Sequence, residues 1–325
     1  MIDSSEYRPL GKTGLRVTPV ALGCWPISGM TSVDVNEADS LATLHAALDA
    51  GINFFDTAYA YGAAGESERL IARAIAGRRD DVVIATKGGI HWSPDGKRVI
   101  DGSGKRLRRE CEESLERLGT DRIDLLYLHA PDPLTPLDES ATALRELMEE
   151  EKTLAVGVSN LSLAQLEEFQ AVCPISCFQP PYNMLERDIE RDTLPWCRER
   201  GISVAVYWPL LKGLLAGKLP RDFEFKPGDG RSKYPQFHGQ EWQRNQDFVD
   251  DLRKIADGAG KTVSQLVINW TIHQPGITAA LCGAKRPDQI RETAAAMDWR
   301  LTPAELAQID AALARRGQPV TKSAV

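Results

Sequence analysis

Four side chains of this 325-residue sequence have the types and the placement for proton-transfer chemistry: Asp56, Tyr61, Lys87 and His129. Asp56 and Tyr61 lie together in GINFFDTAYAYG, residues 51–62; Lys87 closes VVIATK, and His129 closes DLLYLH. Each apolar run is too short for a helix and reads as a buried strand, so each polar residue falls at or just beyond a strand's carboxyl end. Taken singly, each has an ordinary explanation. Asp56 could cap the next turn, Tyr61 could pack, Lys87 could reach solvent, and His129 could be a hydrogen-bonded core residue. Taken together, an acid, an ammonium and an imidazole ending three successive strands match catalytic placement. Lys87 beside Asp56 keeps its charge. Its positive field is expected to draw the Tyr61 phenol down from the usual value of about 10, toward the range of a general acid.

Positioning these residues requires a regular series of strands and helices. Short apolar runs predict strands at 20–23, 52–55, 82–86, 123–128, 154–158, 177–179, 202–207 and 277–282. Helical periodicity predicts helices at 36–50, 66–76, 103–118, 137–150, 163–171, 187–200, 264–273 and 287–297. In the first of these, Ala38, Leu41, Leu44, Ala47 and Leu48 recur at helical spacing and Gly51 stands at the C-cap. Eight alternating units imply parallel pairing and a closed (β/α)8 TIM barrel, which leaves no sheet edge. An open doubly wound sheet is disfavoured, because no G-x-G-x-x-G opens any of the helices and no composition break marks a second domain. The expected organisation is one domain over residues 1–325, with an N-terminal β-hairpin at about 7–18. A long loop at 208–246 after the seventh strand is a candidate lid. Thr302-Pro303-Ala304-Glu305 starts an extra C-terminal helix, and the tail at about 317–325 is expected to fray.

Hydrophobic content of 42% supports a large core, and a net charge of -7 argues against a nucleic-acid or anionic-membrane surface. Residues 1–8 are polar and lack the apolar centre of a signal peptide, and no apolar run approaches a membrane span. A cytoplasmic protein, monomeric or a small homo-oligomer, is expected. The cysteines, at 24, 111, 173, 177, 197 and 282, read as reduced thiols, since no export signal precedes them. The histidines, at 45, 91, 129, 238 and 273, are dispersed, so no metal is expected and a metal-dependent barrel hydrolase is disfavoured.

The stretch GINFFDTAYAYG, with Thr86-Lys87 and Leu128-His129, resembles the aldo-keto reductase family, and the resemblance runs through almost the whole chain. PLGKTGLRV near the start, HAPDPLTPL from His129, VGVSNLS from Val156, QPPYNMLER from Gln179 and LKGLLAGKL from Leu211 follow in the family's order. The resemblance implies a (β/α)8 oxidoreductase that reduces aldehydes or ketones with NADPH, NADH being a weaker alternative. Tyr61 would be the proton donor, Lys87 and Asp56 would tune it, and His129 would orient the carbonyl oxygen. The same resemblance assigns cofactor contacts to Gly23, Cys24 and Trp25 after the first strand, and to Ser159, Asn160 and Gln179 around the nicotinamide amide. Tyr207 would stack on the nicotinamide ring, while Trp208 and main chain around Leu210, Lys212, Gly213 and Leu214 would border the pyrophosphate. Gly283, Ala284, Lys285, Gln289, Glu292 and Thr293 would meet the adenosine phosphate. Trp25, Trp92 and Asp132 would wall the substrate pocket. Three positions depart from the family pattern: Trp208 for a common serine, Cys282 for a usual proline, and Thr293 for an asparagine that often contacts adenine.

One part of this assignment has an independent basis in the residues. Lys285 and Arg286 precede Pro287, a first helical residue, and two cations at a helix amino terminus suit a phosphate. The alternative to a working reductase is a cofactor-binding regulatory or redox-sensing barrel with little turnover, which has no need of all four catalytic residues.

Overall fold

The structure, a computed structural model, describes residues 7–30 and 34–320. The chain opens with a small antiparallel hairpin, β1 (Arg8–Pro9) and β2 (Arg16–Val17). There follow β3 (Val20–Gly23), α1 (Glu37–Asp49), β4 (Phe54–Asp56), α2 (Glu66–Ala74), β5 (Val83–Gly88), β6 (Ile90–Trp92), β7 (Arg98–Ile100), α3 (Gly104–Leu118) and β8 (Leu125–Leu128). The series continues through α4 (Leu137–Glu149), β9 (Val156–Ser159), α5 (Leu163–Val172), β10 (Cys177–Gln179), α6 (Thr193–Arg200) and β11 (Ser203–Val206). It ends with α7 (Gly239–Gly258), α8 (Val263–Ile272), β12 (Ala279–Gly283), α9 (Pro287–Ala294) and α10 (Pro303–Arg316). Strands β3, β4, β5, β8, β9, β10, β11 and β12 pair in parallel and close into a barrel. This is the expected (β/α)8 fold with its N-terminal hairpin and extra terminal helix. No helix among the described residues is long and apolar enough to cross a membrane.

Strand alternation sorts the side chains into an inner and an outer core. Phe54, Val83, Ala85, Leu125, Tyr127, Ala155 and Cys177 fill the interior, and Leu10 and Val17 of the hairpin join them. Phe55, Ile84 and Leu126 point the other way, into the layer shared with the helices. The same period of two turns Asp56 inward after Phe54, and Lys87 inward after Ala85. Gly157 marks how tightly the interior is filled: a Cβ there would lie 2.5 Å from the Tyr127 ring.

Three elements differ from the sequence expectation. Between β5 and α3, β6 and β7 form an antiparallel hairpin where a plain loop was expected. Glu110 of α3 anchors its entry, accepting from Gly89 N at 2.6 Å and from Arg106 Nε at 2.7 Å. The segment 187–200 is no single helix. Asp188–Glu190 is a short 3-10 turn, and α6 begins only after Asp192. Pro195 explains the break, since its ring would clash with the carbonyl of Arg191 in a longer helix. The expected loop at 208–246 contains short 3-10 turns and then enters α7, a 20-residue helix that the sequence reading did not assign.

The terminal helix α10 starts at a capping box formed by Thr302 and Glu305, as expected, and locks α7 in place. Arg316 is buried and donates to Asn245 Oδ1 at 2.7 Å and 3.1 Å and to Glu241. Val320 N donates to Glu241 Oε1 at 2.8 Å, so the start of the expected frayed tail is attached; residues 321–325 lie outside the described residues.

Candidate active site

Asp56 and Lys87 stand on neighbouring strands and both point into the barrel. The register pairs Asp56 with Ala85 and Lys87 with Tyr127, which brings the carboxylate and the ammonium into direct contact. Lys87 Nζ donates to Asp56 Oδ1 at 2.6 Å and to Thr57 O at 2.8 Å, and reaches the Tyr61 hydroxyl at 3.4 Å. Asp56 is 2% exposed and Lys87 1%, so the pair is shut off from water. Burial pushes the Asp56 carboxyl up and the Lys87 amine down, and each charge opposes the shift of the other. The pair is held from behind by Gln179, whose Nε2 donates to Asp56 Oδ2 at 2.7 Å.

Tyr61 occupies the loop after β4, where its N–H donates to Ala58 O at 2.9 Å. Its ring meets Trp25 edge-on at 4.9 Å and His129 at 6.0 Å between centroids. Tyr61 and His129 each keep part of their surface accessible. Burial pushes the Tyr61 phenol well above its ordinary range; Asp56 and Cys24 add to the rise and Arg98 opposes it. This corrects the expectation that Lys87 would lower the phenol, because desolvation outweighs the field of an ammonium already neutralised by Asp56. The phenol therefore stays protonated. Burial, with Lys87 and Arg98, pushes His129 well below its ordinary value, so the imidazole is neutral near pH 7. Its Nδ1 is buried with no hydrogen-bond partner among the described residues.

A second set of groups runs from His129 across the barrel. Asn160 takes a left-handed conformation at φ 63°, which short polar residues tolerate. From there its Nδ2 donates to His129 O and to Ser159 Oγ, both at 3.0 Å, and its Oδ1 accepts from the Tyr207 hydroxyl at 2.8 Å. Ser159 Oγ donates in turn to Gln179 O at 2.7 Å. The structure thus links Ser159, Asn160, Gln179 and Tyr207 to the four residues singled out for chemistry.

The loop after β11 holds three non-glycine residues at positive φ: Trp208 at 58°, Leu211 at 42° and Lys212 at 56°. Gly213, at φ 91°, completes a tight turn in which its N–H donates to Leu210 O at 2.9 Å, and Leu214 is buried behind it. The sequence reading used only the main chain here. In the structure the Lys212 ammonium lies 3.3 Å from the Trp208 ring centroid and 4.4 Å from that of Tyr234, and burial pushes it down to about 7.

At the end of β12, Gly283 approaches Pro26 so closely that a Cβ would sit 2.9 Å from its Cγ. Ala284 is buried, and Lys285 N donates to Gln289 Oε1 at 2.8 Å. Arg286 is the N-cap of α9 and Pro287 its first residue, as expected. Glu292 pairs with Lys218, and Thr293 Oγ1 turns back onto its own helix, donating to Gln289 O and Ile290 O at 3.2 Å. Asp229, Arg231 and Asp34 all act electrostatically on Lys285. Arg231 and Lys218 were missed by sequence reasoning, although Lys218 lies inside the quoted LKGLLAGKL.

Among the expected pocket residues, Trp92 Nε1 donates to Ala60 O at 2.8 Å, next to Tyr61. Asp132 braces its own loop and ties it to the segment before α3, accepting from Leu134 N at 2.9 Å, Thr135 Oγ1 at 2.6 Å and Gly102 N at 3.0 Å. Gly23 pairs with Asp56 across β3 and β4, and Cys24 N donates to Asp56 O at 2.8 Å. All six cysteines are buried and free, and no cluster able to hold a metal occurs among the described residues.

Comparison with known proteins finds a match to the Aldo/keto reductase family model over residues 19–314. The aldo-keto reductase YhdN of Bacillus subtilis is 37% identical over 311 residues, spanning 95% of this chain and 93% of that protein. The solved structure of a glycerol dehydrogenase from Gluconobacter oxydans superposes with a TM-score of 0.90 at 36% identity, covering 99% of this chain and 100% of the other. An aldo-keto reductase of Bacillus halodurans in its holo form shares the fold, with a TM-score of 0.78 at 24% identity and 98% of each chain covered.

Proposed function

The chain belongs to the aldo/keto reductase family, and from that premise we propose that it reduces aldehydes or ketones to alcohols with NADPH, Tyr61 giving the proton. The observation that carries the reading is the Asp56–Lys87–Tyr61 contact chain beside a neutral His129. The buried His129 Nδ1 has no hydrogen-bond partner among the described residues, a left-handed turn at 211–213 follows β11, and the cationic start of α9 follows β12, the neighbouring strand of the barrel. This combination suits a substrate oxygen at one end and a dinucleotide phosphate at the other. Asn160, Ser159 and Gln179 would hold the nicotinamide amide, Tyr207 its ring, and Lys285 with Arg286 the 2′-phosphate. The bound cofactor supplies the hydride.

His129 orients the carbonyl oxygen, and being neutral it does so as a hydrogen-bonding group without competing for the proton. Tyr61 begins protonated and donates its hydroxyl proton to that oxygen as negative charge develops there. The resulting tyrosinate meets the Lys87 ammonium, so the lysine stabilises the charge left behind even though it does not lower the resting phenol. Asp56 keeps that ammonium in place and Gln179 keeps Asp56 in place. The Gluconobacter relative is named for the reverse chemistry, and the same four residues run backward would oxidise an alcohol.

The test is steady-state reduction of an activated aldehyde with NADPH as donor. Turnover that disappears in Tyr61→Phe supports the assignment. A wild-type protein that binds NADPH and reduces no carbonyl would instead favour the regulatory barrel.

A further inference from the structure

Arg98 opens β7 and pairs with Trp92 across the hairpin, while Ile100 pairs with Ile90 and Val99 with His91. Directly paired residues of an antiparallel ribbon share a face. Arg98, Trp92, Ile90 and Ile100 therefore stand on one side, and His91 and Val99 on the other. The first side is the one turned to the catalytic residues. Ile90 packs with Ala60 and Ala130, the neighbours of Tyr61 and His129, and Trp92 and Ile100 lie against the same cluster. The indole of Trp92 fastens this face by its bond to Ala60 O.

Arg98 stands at the outer end of that row and is exposed. Its neighbour Lys97 is taken up by Asp95 at 2.6 Å, whereas Arg98 has no ion pair or hydrogen bond among the described residues. Its charge nonetheless acts on the site. Burial is the largest influence on the titration of Tyr61, His129 and Tyr207, and at all three Arg98 adds a positive field. A guanidinium with free donors, on the site-facing side of a tethered hairpin, suits a planar two-point contact with a carboxylate or phosphate.

We infer that Arg98 is a specificity-determining residue that binds an anionic group on the carbonyl substrate. The preferred substrate class is then a carbonyl compound carrying a carboxylate or phosphate. This inference rests on the reading of Tyr61 and His129 as the carbonyl end of the site. The anion is held by the hairpin while Tyr61 and His129 meet the oxygen.

The test compares para-carboxybenzaldehyde with para-nitrobenzaldehyde, two activated aldehydes of similar shape and different charge. In Arg98→Gln, kcat/KM for the carboxylate should fall at least about tenfold, through KM, with a loss under about threefold for the nitro compound. Arg98→Lys should recover most of the loss, and added salt should weaken wild-type preference for the carboxylate. Equal losses on both aldehydes would make the hairpin merely structural. No loss on either would leave Arg98 facing solvent, and a matching loss of NADPH affinity would reassign it to the cofactor; each overturns the inference. If the wild type reduces neither aldehyde, the reductase reading fails on its own account. Quenching of tryptophan fluorescence by benzoate then decides the matter for Arg98: quenching lost in Arg98→Gln supports it, and unchanged quenching refutes it.

Discussion

Gln179 on β10 donates its side-chain N–H to Asp56 on β4 across the barrel, at 2.7 Å, so the carboxylate that grips Lys87 is itself gripped. Neither residue is more than 2% exposed. Replacing Gln179 by leucine leaves Asp56 Oδ2 buried with one partner fewer. The expected cost is about 1–3 kcal/mol of stability, read as a lowered urea midpoint. An unchanged midpoint would mean that water or a rearranged side chain takes over the bond.

Removing the Tyr61 hydroxyl takes away one oxygen and little volume. Tyr61→Phe should fold and bind NADPH as before, followed by fluorescence quenching, while turnover falls by about 10²–10⁴-fold. Retention of more than about a tenth of wild-type turnover would remove Tyr61 from the role of acid.

Lys87→Met strands a buried carboxylate. Beyond the loss of turnover it should cost about 3–5 kcal/mol in stability, and Asp56→Asn should cost a comparable amount by stranding the ammonium. The double variant Asp56→Asn with Lys87→Met should lose less than the sum of the two. Additive losses would show that the two charges do not depend on each other.

Lys285 and Arg286 flank the start of α9. Their joint replacement by alanine should weaken NADPH binding at least about tenfold while leaving NADH binding nearly unchanged, since charge-assisted contacts are worth about 1.5–3 kcal/mol each. Titration of both cofactors checks this, and equal losses would assign the two cations to the architecture of the loop.

Glu110 gives stability a pH dependence of definite sign. Burial raises its carboxyl from 4.5 to about 7, against the pull of Gly89 N–H and Arg106. Between those two values the folded chain holds the proton more often than the unfolded one, so raising the pH across that window lowers stability. The contribution is intact below the unfolded value and is lost, by about 3 kcal/mol, as pH climbs through the folded one. Urea unfolding of the wild type and Glu110→Gln from pH 4.5 to 7.5 should show a steeper decline in the wild type. Parallel profiles would contradict the assignment.

The barrel was legible because period-two alternation and strand-end polar residues survive in the bare sequence. Phe54, Phe55 and Asp56 already announce in, out and in. The hairpin of β6 and β7 was missed although Pro94-Asp95-Gly96 is a strong turn signal between alternating residues. Helix α7 was hidden by Asn245 and Gln246, polar residues on its buried face, which interrupt the apolar stripe between Trp242 and Val249. Asn245 is there to receive Arg316, a partner 71 residues distant that no local pattern reveals. The rise of the Tyr61 phenol was illegible for a similar reason, because desolvation depends on what the fold stacks around a group, and charge types alone pointed the other way.

The closure of the ring joins Val20 to Ala280, the first barrel strand to the last. During synthesis from the amino terminus, β3 must therefore wait for almost the entire chain before its outer edge is covered. Until then the nascent protein carries two unsatisfied strand edges, which are templates for wrong pairing between ribosome-bound neighbours. A chain released before residue 279 should be aggregation-prone however many of its catalytic residues it contains, and its solubility should return only when β12 is present.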